Sequence, residues 1–473
     1  MPKLSSIEKN PPFIEWFELG GLNGYKTLRL ENSSCVKIVA AENGTGKTTL
    51  LNALYSVLTI NIIKLSEIDF RYFSLKLKGV PELVYLKSEL FPKRVSYKTT
   101  KARDELKDLD VTEQALIRHL SFIYANGLEL FSTSDDFNEV YYSTPIGRSE
   151  LLELYATLVD QRYLSEAAQE LAAEIKFALG DLKILYLPTF RRIEAEFSEF
   201  SSKREGNVSY RFQDEEESYE EQLIWFGMND VANKLESFKE KIKSVTFESY
   251  SRLSAQSLEA LLSPASKRPS FIVDISDEFS SQLNLVLARL GHAGGETEAR
   301  IYNLIYSGEI NQSNYDGLRS HIHQIISIYT NTQAQEQLIE GFVNVVNGYW
   351  LLSSSSRNAP PEKEFIFDKF ELDVAIRNNQ NNEVLELNNL SSGEKQIVAI
   401  FAKLYLQQNK KYLILIDEPE LSLAMSWQQR FLIDILESPS CAQLVAITHS
   451  PFVFDNALDK FAESLIVKYE TVL

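Results

Sequence analysis

Apolar and polar positions change period several times along the chain, and each change marks an element. Over 13–30, alternation with period two predicts two short strands, Phe17-Glu18-Leu19 and Thr27-Leu28-Arg29-Leu30, around the turn-rich Gly20-Gly21-Leu22-Asn23-Gly24. The run 35–40 is largely apolar and stops at a glycine-rich loop, the pattern of a strand buried in a parallel sheet. A helix follows at 48–59, with Leu50, Leu51, Leu54 and Leu58 on its inner face. Strands are expected again at 72–77 and 83–86, then helical periodicity from 111 to 179, broken by a strand at 182–187. From 222 to 345 the pattern is mainly helical, interrupted near Ser263-Pro264 and over 291–295. Ser353-Ser354-Ser355-Ser356 with Pro360-Pro361 reads as a linker. Beyond it, 365–376 and 384–387 alternate as a strand pair across 378–382. A helix at 397–405 and two apolar strands complete the chain: 412–417, ending in carboxylates, and 444–448, delivering His449. No repeat and no heptad seam long enough for a coiled coil is visible.

This order predicts an α/β fold with an N-terminal antiparallel β part and a mixed sheet flanked by helices. The head is expected in two pieces, 1–99 and 363–473, with a mainly helical insertion at 100–362 whose strand 182–187 returns to the head.

Composition narrows the partners. With 473 residues, 44% hydrophobic and 24% charged, the chain has material for a sizeable core and more than one lobe. No run approaches the roughly 18 apolar residues of a membrane span, and Met1-Pro2-Lys3-Leu4-Ser5 begins no apolar signal segment. Cys35 and Cys441 are the only cysteines, so reduced thiols and a cytoplasmic location are expected. A net charge of −18 argues against non-specific coating of nucleic acid, leaving a clamped nucleic acid or a basic protein as partners. Against that background Lys93, Arg94, Lys98, Lys101, Arg103 and Lys107 form a basic cluster, either a phosphate-contacting arm or a solvated helix start. The acidic run over 214–221 reads as a solvated loop. His321 and His323, two apart on a helix, face different directions and have no cysteine or acidic companions, which argues against a metal site.

The chemistry lies in four short stretches. In Ala41-Glu42-Asn43-Gly44-Thr45-Gly46-Lys47-Thr48-Thr49, glycines let backbone N–H groups converge on phosphates at a helix N-terminus. Lys47 is placed to reach the β- and γ-phosphates of ATP, and the Thr48 hydroxyl to hold Mg²⁺. Ala41 stands where this motif usually has its first glycine. Asp417, at the end of an apolar strand, is suited to the same Mg²⁺, and Glu418 to orienting or deprotonating an attacking water. Leu390-Ser391-Ser392-Gly393-Glu394-Lys395 opens the helix at 397–405, and Thr448-His449-Ser450 closes the last strand.

Taken in order, Asn43-Gly44-Thr45-Gly46-Lys47-Thr48, Ser391-Ser392-Gly393-Glu394, Asp417-Glu418-Pro419 and His449 resemble the motifs of ABC-type ATPase heads. Leu-Ser-Ser-Gly-Glu-Lys and Asp-Glu-Pro-Glu-Leu-Ser-Leu are similar to the soluble branch, which includes overcoming-lysogenization nucleases, RecF-like repair proteins, SMC-like heads and anti-phage defence ATPases. The resemblance implies head-to-head dimers, in which Ser391 contacts the γ-phosphate held by a second copy and His449 senses it. It also implies that Ala424-Met425 depart from the His-Pro common in soluble relatives. No Q-loop glutamine is evident; Arg191 and Arg192 follow the strand where one is expected. Leu187-Pro188-Thr189-Phe190-Arg191-Arg192 and Phe226-Gly227-Met228-Asn229-Asp230 look like stand-alone defence ATPases, first those of PARIS systems and then of Septu systems.

No second catalytic constellation accompanies these motifs, and only a short segment follows His449. The expectation is therefore an ATP-driven sensor and scaffold that holds and releases a separate effector, a Toprim- or HNH-type nuclease, when a nucleic acid or phage protein triggers it. Two readings from other classes stand beside it: a DNA-repair ATPase clamping duplex DNA, and the nucleotide-binding subunit of a transporter.

Overall fold

The computed structural model describes residues 11–40, 44–91, 97–109, 111–160, 165–188, 227–262, 277–289, 296–353, 360–407 and 410–469. In chain order its main elements are β1 (Ile14–Leu22), β2 (Lys26–Glu31), β3 (Val36–Ala40), α1 (Lys47–Leu58), β4 (Tyr72–Leu77), β5 (Leu83–Leu86), β6 (Leu182–Leu187), α2 (Met228–Leu262), α3 (Asp277–Arg289), α4 (Asp316–Leu352), β7 (Lys363–Asp368), β8 (Asp373–Asn378), β9 (Val384–Leu385), α5 (Ser392–Tyr405), β10 (Lys411–Asp417), α6 (Met425–Glu437), β11 (Cys441–Thr448), β12 (Ala462–Glu463) and β13 (Ile466–Tyr469). They form two compact units, residues 1–225 with 409–473, and residues 226–408.

In the first unit the parallel and antiparallel strands separate into two sheets of pure type. The parallel sheet has the order β12-β3-β11-β10-β6, and the antiparallel sheet the order β13-β2-β1-β4-β5. The strand at 182–187 does join the parallel sheet, from Lys411 opposite Leu182 to Ile416 opposite Leu187. Tyr412, Leu413, Ile414, Leu415 and Ile416 are all buried, as a strand covered on both faces requires. The register aligns the C-terminal strand ends, with Asp417 beside Ile447 and Thr448 beside Ala40, so whatever follows β3, β10 and β11 gathers at one sheet edge. The Gln443 side chain stitches the sheets together: Oε1 accepts the N–H groups of Phe13 (2.8 Å) and Ile14 (2.9 Å), and Nε2 donates to the Ile14 carbonyl (3.3 Å).

Helix α1 buries Leu50, Leu51, Leu54 and Leu58 as its 3.6-residue spacing predicts. The helices Tyr97–Asp108, Glu113–Asn126, Asp135–Ser143, Arg148–Asp160 and Glu166–Leu179 put Leu106, Leu120, Phe137, Tyr155 and Leu171 into the same hydrophobic core as Leu50, Leu413 and Ile447. They therefore pack as part of this unit. Cys35 is buried, Cys441 is half-buried, and both are free thiols.

The second unit is built on α4, whose 37 residues span about 55 Å. Leu253 of α2, Leu283 and Val286 of α3, and Ile322 and Ile325 of α4 share one core with Ile305. In the same unit Arg289 of α3 and Glu336 of α4 form a buried ion pair at 2.7 Å, and Arg289 also donates to the Lys369 carbonyl through Nε (3.0 Å) and Nη2 (2.7 Å). The strand expected over 365–376 is two strands. Asp368 Oδ1 accepts the N–H groups of Phe370 (2.8 Å) and Glu371 (3.2 Å), an Asx turn that reverses the chain between β7 and β8. His323 is exposed and His321 half-buried, and no group of three or more metal-ligating side chains occurs among the described residues. No described helix is long and apolar enough to cross a membrane.

Candidate functional site

The site is assembled at the C-terminal edge of the parallel sheet in the first unit. Between β3 and α1 the chain turns through Gly44 (φ +78°) and Gly46 (φ +97°), backbone conformations that side chains with a Cβ resist. At Gly46 a Cβ would also stand 3.0 Å from Leu28 Cδ1 and 3.3 Å from Leu22 Cδ2, whereas Gly44 faces open space. Gly46 caps α1, its carbonyl accepting the Leu50 N–H at 2.9 Å, so the helix N-terminus lies at the sheet edge. Ala41, Glu42 and Asn43 lie outside the described residues, as do Arg191, Arg192, Lys93, Arg94 and the acidic run at 214–221.

Lys47 is 5% exposed, and Thr48 and Thr49 follow it on the first turn. Burial lowers the Lys47 pKa while the nearby charges of Glu418, Asp417 and Glu420 raise it, so the lysine is within electrostatic reach of all three carboxylates. Asp417 is 2% exposed at the end of β10. Burial pushes its pKa up to about 6, with Glu418 and Glu420 adding to the rise and the Thr48 hydroxyl and Lys47 opposing it. Thr48 is thus beside Asp417, yet among the described residues neither Asp417 oxygen completes a hydrogen bond. A buried carboxylate with two unsatisfied oxygens next to a hydroxyl is a hard-oxygen donor set, and it fits a magnesium ion.

Glu418 has a left-handed backbone (φ +52°), unusual for a residue with a side chain, and its N–H donates to the Ile447 carbonyl at 2.8 Å. This turn brings its carboxylate back over the sheet edge, where Oε1 lies 3.8 Å from His449 Nε2. The structure therefore brings Lys47, Thr48, Asp417, Glu418 and His449 together.

Two further residues of the site were not assigned by sequence reasoning. Lys26, 6% exposed, donates from Nζ to the Thr45 carbonyl at 3.1 Å and so braces the glycine loop from β2. Its only sequence signal is a lysine two residues after the turn at Asn23-Gly24. Glu420 belongs to the Asp-Glu-Pro-Glu run but had no role. Its Oε2 accepts the Thr448 hydroxyl (2.7 Å) and its Oε1 the N–H groups of His449 (2.8 Å) and Ser450 (3.1 Å), so it holds the histidine loop. On the far side Tyr186 of β6 fixes α1, donating to Asn52 Oδ1 at 2.7 Å with its ring 4.9 Å from that of Tyr55.

Ser391, Ser392, Gly393 and Glu394 belong to the second unit, at the start of α5. Ser391 and Ser392 are exposed and Gly393 is buried. Glu394 accepts the Ser391 N–H at 2.9 Å, one half of a capping box that shapes the loop. In the basic cluster, Lys101 pairs with Glu105 at 3.4 Å, and Ala102 and Leu106 are buried, so the helical part of that stretch is a packed amphipathic helix.

Residues 170–455, more than half of the chain, match the family described as "AAA domain, putative AbiEii toxin, Type IV TA system"; the match takes in Ser391, Asp417, Glu418 and His449. Among solved structures the chain is similar to an Smc head domain with an extended coiled coil bound to the C-terminal domain of ScpA from Pyrococcus furiosus, at 15% identity over 97% of this chain and 96% of that one, with a TM-score of 0.31. A second similar structure is an SmcHead bound to the C-winged helix domain of ScpA, at 12% identity over 97% and 98% of the two chains and a TM-score of 0.29. No curated protein sequence matches. By the extent of the family match the chain belongs to this AAA-domain family, and within it a P-loop and an acidic strand end meet at one sheet edge.

Proposed function

We propose that the chain is the ATP-binding and ATP-hydrolysing sensor and scaffold of a bacterial anti-phage defence complex, which holds a separate effector and releases it on infection. The observation that carries the ATPase part is the convergence of Lys47, Asp417, Glu418 and His449 at one sheet edge. The family description, with its toxin of a type IV toxin–antitoxin system, supports a role in defence.

In this reading Asn43 and the backbone N–H groups of Gly44, Thr45, Gly46, Lys47, Thr48 and Thr49 cradle the phosphates of ATP, and Lys47 neutralises the β- and γ-phosphates. Thr48 and Asp417 hold Mg²⁺, which when bound screens the charge on those phosphates. Glu418 accepts a proton from the attacking water, and His449, facing Glu418, contacts the γ-phosphate. Ser391, Ser392, Gly393 and Glu394 of a second copy close over the same nucleotide, so ATP joins two heads and its hydrolysis parts them. The effector, a Toprim- or HNH-type nuclease on another chain, follows that cycle through differential binding to the two states.

The test is the Glu418→Gln protein expressed with its neighbouring genes. Turnover should fall on the order of 10²–10³-fold, as for loss of a general base. The trapped ATP state should retain a protein partner, identified by mass spectrometry. Undiminished phosphate release would refute the role of Glu418, and retention of DNA without any protein would replace the scaffold by a DNA clamp.

A further inference from the structure

The start of α5 is tied to a lysine that the roles above leave unused. Glu394 accepts hydrogen bonds from the Ser391 N–H at 2.9 Å and from the Ser391 hydroxyl at 2.8 Å. The same carboxylate is gripped by Lys363 of β7, whose Nζ lies 2.9 Å from Oε1 and 3.0 Å from Oε2. Lys363 is itself well seated: its ammonium stands 5.9 Å from the centre of the Trp350 ring, and that ring stacks on Phe365 at 5.2 Å. Asn347 of α4 ties the strand to the helix, donating to the Phe365 carbonyl (2.9 Å) and accepting its N–H (2.7 Å). Although burial favours the neutral acid, the bonds from Lys363 and Ser391 hold the Glu394 pKa below the usual carboxylate range, so the group is an anion.

An anion in that place conflicts with a serine that must greet a phosphate. A bare charge about 6 Å from a phosphate, at an effective dielectric constant near 20, weakens binding by about a hundredfold. The arrangement contains its own remedy. We propose that Lys363 is the positioning residue of the signature: it cancels the Glu394 charge and fixes that carboxylate, so that the Ser391 hydroxyl can be presented to the γ-phosphate of ATP held by a second copy of this chain. The proposal rests on the head-to-head reading above. When the phosphate arrives, the Ser391 hydroxyl turns its proton from Glu394 to the phosphate oxygen. Glu394 keeps the Ser391 N–H and Lys363 as partners, so no buried charge is stranded.

The experiment uses the full chain carrying Glu418→Gln, so that ATP persists. Lys363→Met, Lys363→Arg, and Lys363→Met with Glu394→Gln are added to it. ATP-dependent self-association is followed by sedimentation velocity, and nucleotide affinity by a fluorescent ATP analogue. Lys363→Met should weaken ATP-dependent association at least about tenfold while leaving analogue affinity within about twofold. Lys363→Arg should retain association, and Glu394→Gln should restore most of it to Lys363→Met, because a neutral amide needs no counter-charge. A lysine that only supported the fold would not be rescued this way. If Lys363→Met does not fold, Lys363→Gln takes its place, keeping an N–H donor while removing the charge. Association equal to that of the parent, or no recovery with Glu394→Gln, overturns the proposal. If the Glu418→Gln parent itself fails to associate with ATP, the head-to-head reading falls and this inference with it, before any Lys363 variant is compared.

Discussion

Replacing Glu420 by alanine should slow ATP turnover without loosening ATP. One carboxylate holds three consecutive residues at the end of β11, through the Thr448 hydroxyl at 2.7 Å and the N–H groups of His449 at 2.8 Å and Ser450 at 3.1 Å. Gln428 backs it, donating to the Glu420 carbonyl at 3.3 Å and accepting the Ser450 hydroxyl at 2.8 Å. Bonds to an ionised acceptor contribute about 1.5–3 kcal/mol each, but His449 is exposed and water can replace part of what is lost there. Thr448, fully buried, would keep its 3.3 Å bond to the Ser450 carbonyl and would still accept the Ser450 N–H at 3.0 Å. The net loss is then about 2 kcal/mol, concentrated on the loop that aims His449 at Glu418. A displacement of about 1 Å at such a residue costs on the order of 10²-fold in rate, so kcat should fall roughly 10- to 100-fold. Lys47 senses Glu420 only as a nearby charge, so affinity for a fluorescent ATP analogue should change by no more than about twofold. Glu420→Gln keeps an acceptor for the two N–H groups and should fall between the extremes. Steady-state phosphate release and analogue titration measure both quantities. Turnover of the alanine variant within about twofold of the parent, or an equal loss in affinity and turnover, would refute the reasoning.

Three further predictions concern stability. His119 is 1% exposed with Nδ1 2.7 Å from the Tyr155 hydroxyl, and burial, aided by Arg118, lowers its pKa from 6.5 to about 3. The unfolded chain therefore binds this proton first: the contribution is complete above pH 6.5 and is lost as pH falls toward 3. From pH 7 to 5 this amounts to about 2 kcal/mol, visible as a lower urea midpoint; His119→Phe should flatten that dependence, and an unchanged slope counts against it. Arg289→Met strands Glu336, 2% exposed, and should cost about 3–5 kcal/mol by chemical denaturation, while adding Glu336→Leu recovers most of it; a silent single variant contradicts this. Gly46→Ala meets both the left-handed backbone and Leu28 at 3.0 Å, whereas Gly44→Ala meets only the backbone, so the former should have the lower melting temperature and the reverse order would be inconsistent with the structure.

What could be read from the sequence follows from how local its causes are. Strand β10 was legible because five buried residues in a row leave no other element of that length, and α1 because its leucines recur at helical spacing. The glycine loop was legible because its positive φ angles demand glycine at Gly44 and Gly46. The reversal between β7 and β8 escaped because its signal is one aspartate: Asp368 caps the turn inside a stretch that otherwise alternates. Nor does any local pattern say that the helices between 97 and 179 bury Leu106, Leu120 and Tyr155 in one core with the sheet of the first unit; helical periodicity gives the face and leaves its partner open.

The residues missed at the site share one property, and it explains why motif reading stops where it does. Lys47, Asp417, Glu418 and Ser391 are each assigned to a ligand atom, so chemistry fixes both residue type and spacing. Lys26, Glu420 and Lys363 instead act on another part of the protein: a loop carbonyl 19 positions away, a loop 28 to 30 positions away, and a carboxylate 31 positions away. What they need is a place in space, which strand register supplies. β2 delivers Lys26 under the P-loop, the turn after β10 delivers Glu420 beside the end of β11, and the hairpin docked on α4 delivers Lys363 to the start of α5. A side chain of suitable length and the right sign would serve at such a position whatever its neighbours, so the sequence around it carries no signature. Substitutions at these three positions should therefore alter the rate or coupling of the ATP cycle before they alter ATP binding, the opposite order to that expected at Lys47.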